Sequence, residues 1–205
     1  MAKEQKLFEV FEIPIKSVTP LLMHKVSKRT LDKIEERQKG AGGTTKKREL
    51  RDPFREAWES AYHATQEQED TIGHKEGNVY LFPIMAFKRA CIEVAKDMKA
   101  TKKFSGEFVK RNMQFYGDHD INFAKIKSDP PIVQRDYVKL GGATKVIDLR
   151  YRMRFDNWSA KIKIKVIKGV VSQDEIMEII NAAGQNVGIG DWRVNKCGVY
   201  GSFEI

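Results

Sequence analysis

The chain has 205 residues, 41% of them hydrophobic, which suits a single domain with a real core and excludes global disorder. It carries 37 Lys+Arg against 28 Asp+Glu, and the net charge of +9 favours an anionic partner: nucleic acid first, a membrane surface second, an acidic protein third. Cys91 and Cys197 stand far apart with no CxxC and no Cys/His cluster, which argues against a zinc site and a disulfide framework.

The opening "MAKEQKLFEV" has no apolar stretch of signal-peptide length, and no run approaches the roughly 18 apolar residues of a membrane span. The expectation is a soluble, cytoplasmic chain with no membrane contact, metal or cofactor. Residues 7–26 are β-rich, with Pro14 and Pro20 as interruptions that bend or bulge the strand. Residues 27–39 suit a helix capped by Ser27, and "GAGGTTKKR" (40–48) is a basic glycine loop. Asp52-Pro53 opens a helix expected to run to about Glu69. "VYLF" (79–82) is extended. Pro83 then starts the clearest helix, with Ile84, Phe87, Cys91, Val94, Ala95 and Met98 at helical spacing.

Further on, the expectation is a short helix near 106–114 and strands near 119–126 and 132–140. The strongest β signal covers 144–169. Residues 172–184 form an amphipathic helix with a Ser172/Glu175 capping box and Gly184 as its stop. A glycine-rich loop and a last strand, "VYGSFEI", follow. The whole reads as one domain, 1–205, with insertions at 27–78 and 99–143.

Asp156-Asn157 suits a two-residue hairpin turn. Pairing Phe155 with Trp158 then sets Met153 on Ala160, Tyr151 on Ile162, Leu149 on Ile164 and Ile147 on Val166, one apolar face. The other face pairs Arg154 with Ser159, Arg152 with Lys161, Arg150 with Lys163, and Asp148 with Lys165. Two of those pairs set cation against cation, which costs a few tenths to about 1 kcal/mol each. Residues 135–168 hold ten Lys/Arg against three Asp. The expectation is a basic sheet face for an anionic backbone, through Arg150, Arg152, Arg154, Lys161, Lys163 and Lys165. The alternative is a solvated face whose charge blocks aggregation. Lys46, Lys47 and Arg48, beside the Gly40–Gly43 hinge, suggest an arm closing over the ligand or an exposed loop.

The terminal glycines are no P-loop and no dinucleotide fingerprint, because they follow a helix and precede a strand. They offer backbone N–H groups, Arg193 and Lys196, or simply a tight connection. Trp192, between loop glycines and Arg193, is placed to meet a ligand. Of His24, His63, His74 and His119, only His24, beside Lys25 at a strand end, suits a general base. No nucleophile motif stands out, and no catalytic residue is assigned.

With insertions set aside, the order is strand (7–18), helix (84–98), strand (145–155), strand (159–168), helix (172–183), strand (199–205). This is an α+β, ferredoxin-like βαββαβ core. The segments "LFPIMAFKRACIEVA", "GIGDWRVNKCGVYGSFEI" and "SVTPLLMHK" make the chain resemble the RAMP superfamily of CRISPR proteins, most of all its backbone subunits. The resemblance implies an RNA-recognition-like fold that binds single-stranded RNA or DNA along its backbone and self-associates along the strand. It places His24, Lys25, Gly188, Gly190, Trp192, Arg193 and Lys196 beside that strand. The alternatives are a metal-independent endoribonuclease similar to CRISPR RNA-processing enzymes, with His24 as base, and an inhibitor or assembly protein docking on an acidic partner.

Overall fold

In the computed structural model, which describes residues 7–40, 50–97, 104–139 and 147–205, the first strand runs unbroken through Pro14. Lys168 N–H donates to the Leu7 carbonyl at 3.0 Å, so odd-numbered residues of this strand turn their backbone groups toward the strand at 159–167. Pro14, an even residue, therefore has its missing N–H on the outer side, where no ladder bond is lost. That is why the expected bend is absent.

The elements are β1 (Phe8–Ser17), β2 (Leu21–Leu22), α1 (Lys28–Gln38), α2 (Pro53–Glu59), β3 (Tyr62–His63), α3 (Gln66–Asp70), β4 (Tyr80–Pro83) and α4 (Ile84–Asp97). They continue with α5 (Gly106–Asn112), β5 (Gln114–Gly117), β6 (Phe123–Ile126), β7 (Ile132–Lys139), β8 (Ile147–Phe155), β9 (Ser159–Ile167), α6 (Gln173–Asn186) and β10 (Phe203–Glu204). The chain is thus α+β, with three antiparallel sheets: β10-β1-β9-β5, β2-β8-β7 and β3-β4-β6. No helix among the described residues is long and apolar enough to cross a membrane.

Local chemistry explains most boundaries. Ser27, Asp52 and Ser172 cap their helices as expected, and the Ser172/Glu175 box closes in both directions. The helix opened by Pro53 ends ten residues early. The Ser60 carbonyl accepts from Lys25 N–H (2.8 Å), and its hydroxyl accepts from Met153 N–H (2.9 Å), so the chain is turned there into β3.

The expected hairpin between 145–155 and 159–168 does not form. β8 pairs with β7 and β2, β9 pairs with β1 and β5, and Asp156–Trp158 carries the chain from one sheet to another. Trp158 is buried and its indole N–H donates to the Thr19 carbonyl (2.9 Å), which draws β9 toward β1. The charges follow the same logic. Arg150 lies opposite Asp136 on β7, and Lys163 lies opposite Glu12 on β1, so the like-charged pairs of the hairpin register are avoided.

Ile13 and Ile15 of β1, Ala160, Ile162, Ile164 and Val166 of β9, and Phe115 of β5 share the inner face of the four-stranded sheet. The apolar stripes of α4 and α6 are buried with them in one core. Phe87 of α4 meets Phe203 of β10 edge-on at 5.6 Å. Gly184 lies within α6 and is not its stop. A Cβ there would sit 1.9 Å from the Phe203 carbonyl, so the missing side chain is what lets β10 lie against the helix.

Gly184→Ala is therefore expected to lower the unfolding free energy by about 2–3 kcal/mol, because backbone must move. Urea melts of the variant against wild type test this; an unchanged midpoint would contradict the packing described.

Candidate functional site

The residues singled out as nucleic-acid contacts fall in separate places, and Lys46, Lys47 and Arg48 lie outside the described residues. The first place is the outer face of the four-stranded sheet. Lys161, Lys163 and Lys165 alternate along β9 opposite the buried row, with Lys16 on β1 beside them. Glu12 stands 3.2 Å from the Lys163 ammonium and 3.8 Å from that of Lys161, and Lys163 draws the Glu12 carboxyl below its ordinary value. Lys16 pairs with Glu204 at 3.0 Å. The Lys165 ammonium lies 4.3 Å from the centre of the Phe8 ring. Phe8, Val10 and Ile167 stay exposed on this face, with Tyr116 half-buried beside Lys163.

The second place is the sheet of β2, β8 and β7. Arg152 is 1% exposed. One terminal nitrogen donates to Asp136 Oδ2 at 2.6 Å and the other to Asp191 Oδ2. Its Nε has no hydrogen-bond partner, and its guanidinium lies 5.4 Å from the Trp192 ring. Arg152 is thus inside the fold. Arg154 forks onto both oxygens of Asp156 at 3.0 and 3.1 Å and also donates to Gln134 (2.9 Å). Gln134 in turn donates to Asp136 at 3.0 Å.

The third place is the glycine-rich loop between α6 and β10. Its glycines serve close approach first. A Cβ on Gly190 would sit 2.6 Å from the Leu22 carbonyl, and one on Gly201 would sit 1.7 Å from the Ile189 carbonyl. Both have positive φ, 83° and 71°. Several N–H groups expected to await phosphate already donate within the protein: Gly188 to Ala183, Ile189 to Gly201, Asp191 to Leu22, and Gly201 to Pro20. The loop is therefore a wall fastened to β2. Lys196 is exposed in the 3-10 turn Val194–Lys196. Lys25 is bound to both carboxylate oxygens of Glu69 at 2.7 Å.

That wall borders a cleft of about 610 Å³, whose opposite side is the start of α4. His24, Asp191, Gly188, Gly190 and Arg193 line it from one side, and Arg89 and Glu93 from α4. His24 Nδ1 stands 3.2 Å from Asp191 Oδ2. The hydrogen bond from His24, helped by the Arg152 charge, holds the Asp191 carboxyl at about 2, against the upward push of its partial burial. His24, Asp191, Arg152 and Asp136 thus form one continuous chain from the cleft into the fold. Arg89 and Asp191 were not singled out from the sequence. The signal for Arg89 was its place off the apolar stripe of α4, four residues after Met85.

No family model matches the chain, and no curated protein matches it.

Asp191 stabilises the fold above the ordinary aspartate value of about 3.9, and that contribution drains away as pH falls toward its folded value of about 2. Wild type is expected to lose about 1–2 kcal/mol more stability than Asp191→Asn between about pH 5 and pH 2. Denaturant titrations at the two pH values read the difference; parallel losses would remove the carboxylate from this role.

Proposed function

We propose that this chain binds single-stranded nucleic acid without cutting it, through the outer face of the four-stranded sheet and the rim of the glycine-loop cleft. The observation that carries the reading is the row Lys161, Lys163, Lys165 on an open sheet face, beside exposed Phe8 and half-buried Tyr116. Ammonium groups suit phosphates, and rings suit stacked bases of any sequence. Arg152 takes no part, because its charge is committed inside the fold. RNA and DNA phosphates suit these lysines equally.

The four-stranded sheet with α4 and α6 is read as a ferredoxin-like core. In chain order β1, α4, β5, β9, α6 and β10 follow βαββαβ, and all four strands share one antiparallel sheet. On this reading the second strand is Gln114–Gly117 rather than 145–155, and 118–158 becomes an insertion carrying β6, β7 and β8. Kinship with the RAMP superfamily belongs to the same proposal. So does self-association along the strand, which the outer edge of β1 supports. β10 pairs with Lys16 and Ser17, which among the described residues leaves the even-numbered backbone groups of Phe8–Glu12 on the sheet's border.

The test is fluorescence anisotropy with labelled oligo(U) and oligo(dT) over a salt series. The triple variant Lys161→Ala, Lys163→Ala, Lys165→Ala is expected to bind at least tenfold more weakly. Its log–log salt slope should be shallower by about two to three. Salt-insensitive binding, or an unchanged triple variant, would sink the proposal.

One observation favours a second reading, a metal-independent endoribonuclease. His24 is held by Asp191 at the border of a cleft that also bears Arg89 and Arg193. An imidazole so placed suits removal of a 2′-hydroxyl proton. Incubation of RNA with excess protein in EDTA separates the two readings. The expected result is intact RNA; fragments ending in 2′,3′-cyclic phosphate, made by wild type and not by His24→Ala, would establish the nuclease instead.

A further inference from the structure

The cleft beside the glycine loop has a charge imbalance. Two carboxylates line it, and each already has partners, though Asp191 shares Arg152 with Asp136. Asp191 is engaged by His24 and Arg152, and Glu93 by Lys96 at 3.3 Å. Two guanidiniums face it as well. Among the described residues, the Arg193 guanidinium donates to one neutral carbonyl, that of Gly190, at 3.4 Å, and Arg89 forms no ion pair. Two forks without a carboxylate partner among the described residues suit an anion with oxygens to share between them.

The other walls are apolar and partly aromatic. Tyr62 and Phe82 stand edge to face at 6.2 Å, and Ala86, Ala90 and Ile189 are among the apolar residues beside them. Burial raises the Tyr62 hydroxyl above its ordinary value, so it stays neutral at physiological pH. A volume of about 610 Å³ lies within the usual range of small-molecule sites, about 300–1,000 Å³. A small anion alone leaves the aromatic wall unused, and an apolar ligand alone leaves both arginines unmatched. A ligand with a flat ring at one end and a phosphate at the other uses both.

We propose that this cleft is a nucleotide site, with the phosphate between Arg89 and Arg193 and the base against Tyr62 and Phe82. It rests on the nucleic-acid reading above, in which the nucleotide belongs to the bound strand, and it adds a pocket distinct from the lysine-bearing sheet face. The fastening of the loop to β2 through Asp191 and Gly201 keeps the site formed before a ligand arrives.

The test is a titration of the full chain with AMP, adenosine and inorganic phosphate, followed by amide NMR shifts. AMP is expected to bind at least tenfold more tightly than either fragment, moving Gly188, Gly190 and Ala86. Arg89→Ala and Arg193→Ala, each checked for folding by circular dichroism, should weaken AMP at least tenfold. The triple lysine variant of the sheet face should bind AMP as wild type does. Oligonucleotide binding without AMP binding, AMP no tighter than phosphate, or AMP unaffected by both arginine variants would overturn the nucleotide site and leave the strand reading standing. AMP binding without oligonucleotide binding would do the reverse, keeping the cleft as a site for free nucleotide.

Discussion

Arg152 presents a guanidinium fork, and it is buried. Such a group is tolerated only where carboxylates meet it, and here they come from two directions. Asp136 belongs to the neighbouring strand of the same sheet, whereas Asp191 belongs to the loop after α6. The guanidinium therefore fixes the loop against the β2-β8-β7 sheet. What depends on that anchor includes the stance of His24, the wall of the cleft and the seat of Trp192, whose ring lies against the same guanidinium. Deleting one of the two carboxylates would leave a buried cation half-matched.

The second organising constraint is charge along the strands. A hairpin of β8 on β9 would have faced arginine with lysine twice. The fold gives each strand acidic neighbours instead: Asp136 across from Arg150, Glu12 across from Lys163. A side effect is that the cations, consecutive in sequence, end in different settings. Those on β8 are partly spent inside the structure. Those on β9 remain at the surface, where, among the described residues, Glu12 and Glu204 temper the four lysines of the face.

The glycine loop shows how one composition serves two ends. Close backbone approach is its structural task, visible in the contacts a Cβ would make at Gly190 and Gly201. Because it is pulled tight against β2 and β10, its outer surface becomes a firm side of the cleft opposite α4. The place of Arg89 and Arg193 on its two sides follows from this packing rather than from a phosphate-binding motif.

Much of the local structure was legible in the residues themselves. The caps at Ser27, Asp52 and Ser172, the apolar stripes of α4 and α6, and the alternation of β9 all rest on neighbours within a few positions. Strand partnership was not legible. Asp156-Asn157 is good turn chemistry, and only the burial of Trp158 and the pull of Thr19, 139 residues away in sequence, turns it into a crossing between sheets. Pro14 reads as an interruption until the side on which it lacks an N–H is known to face outward. The site divides in the same way. His24 and Arg193 stand out as polar residues at a strand end and in a glycine loop. Arg89 gains meaning only because α4 is laid across from that loop, and Arg152 loses its surface role because two distant aspartates converge on it. Sequence by itself determined the elements and their chemistry, since these depend on short-range periodicity and capping. Tertiary structure alone decided which charges remain available, since that depends on partners brought together from far along the chain.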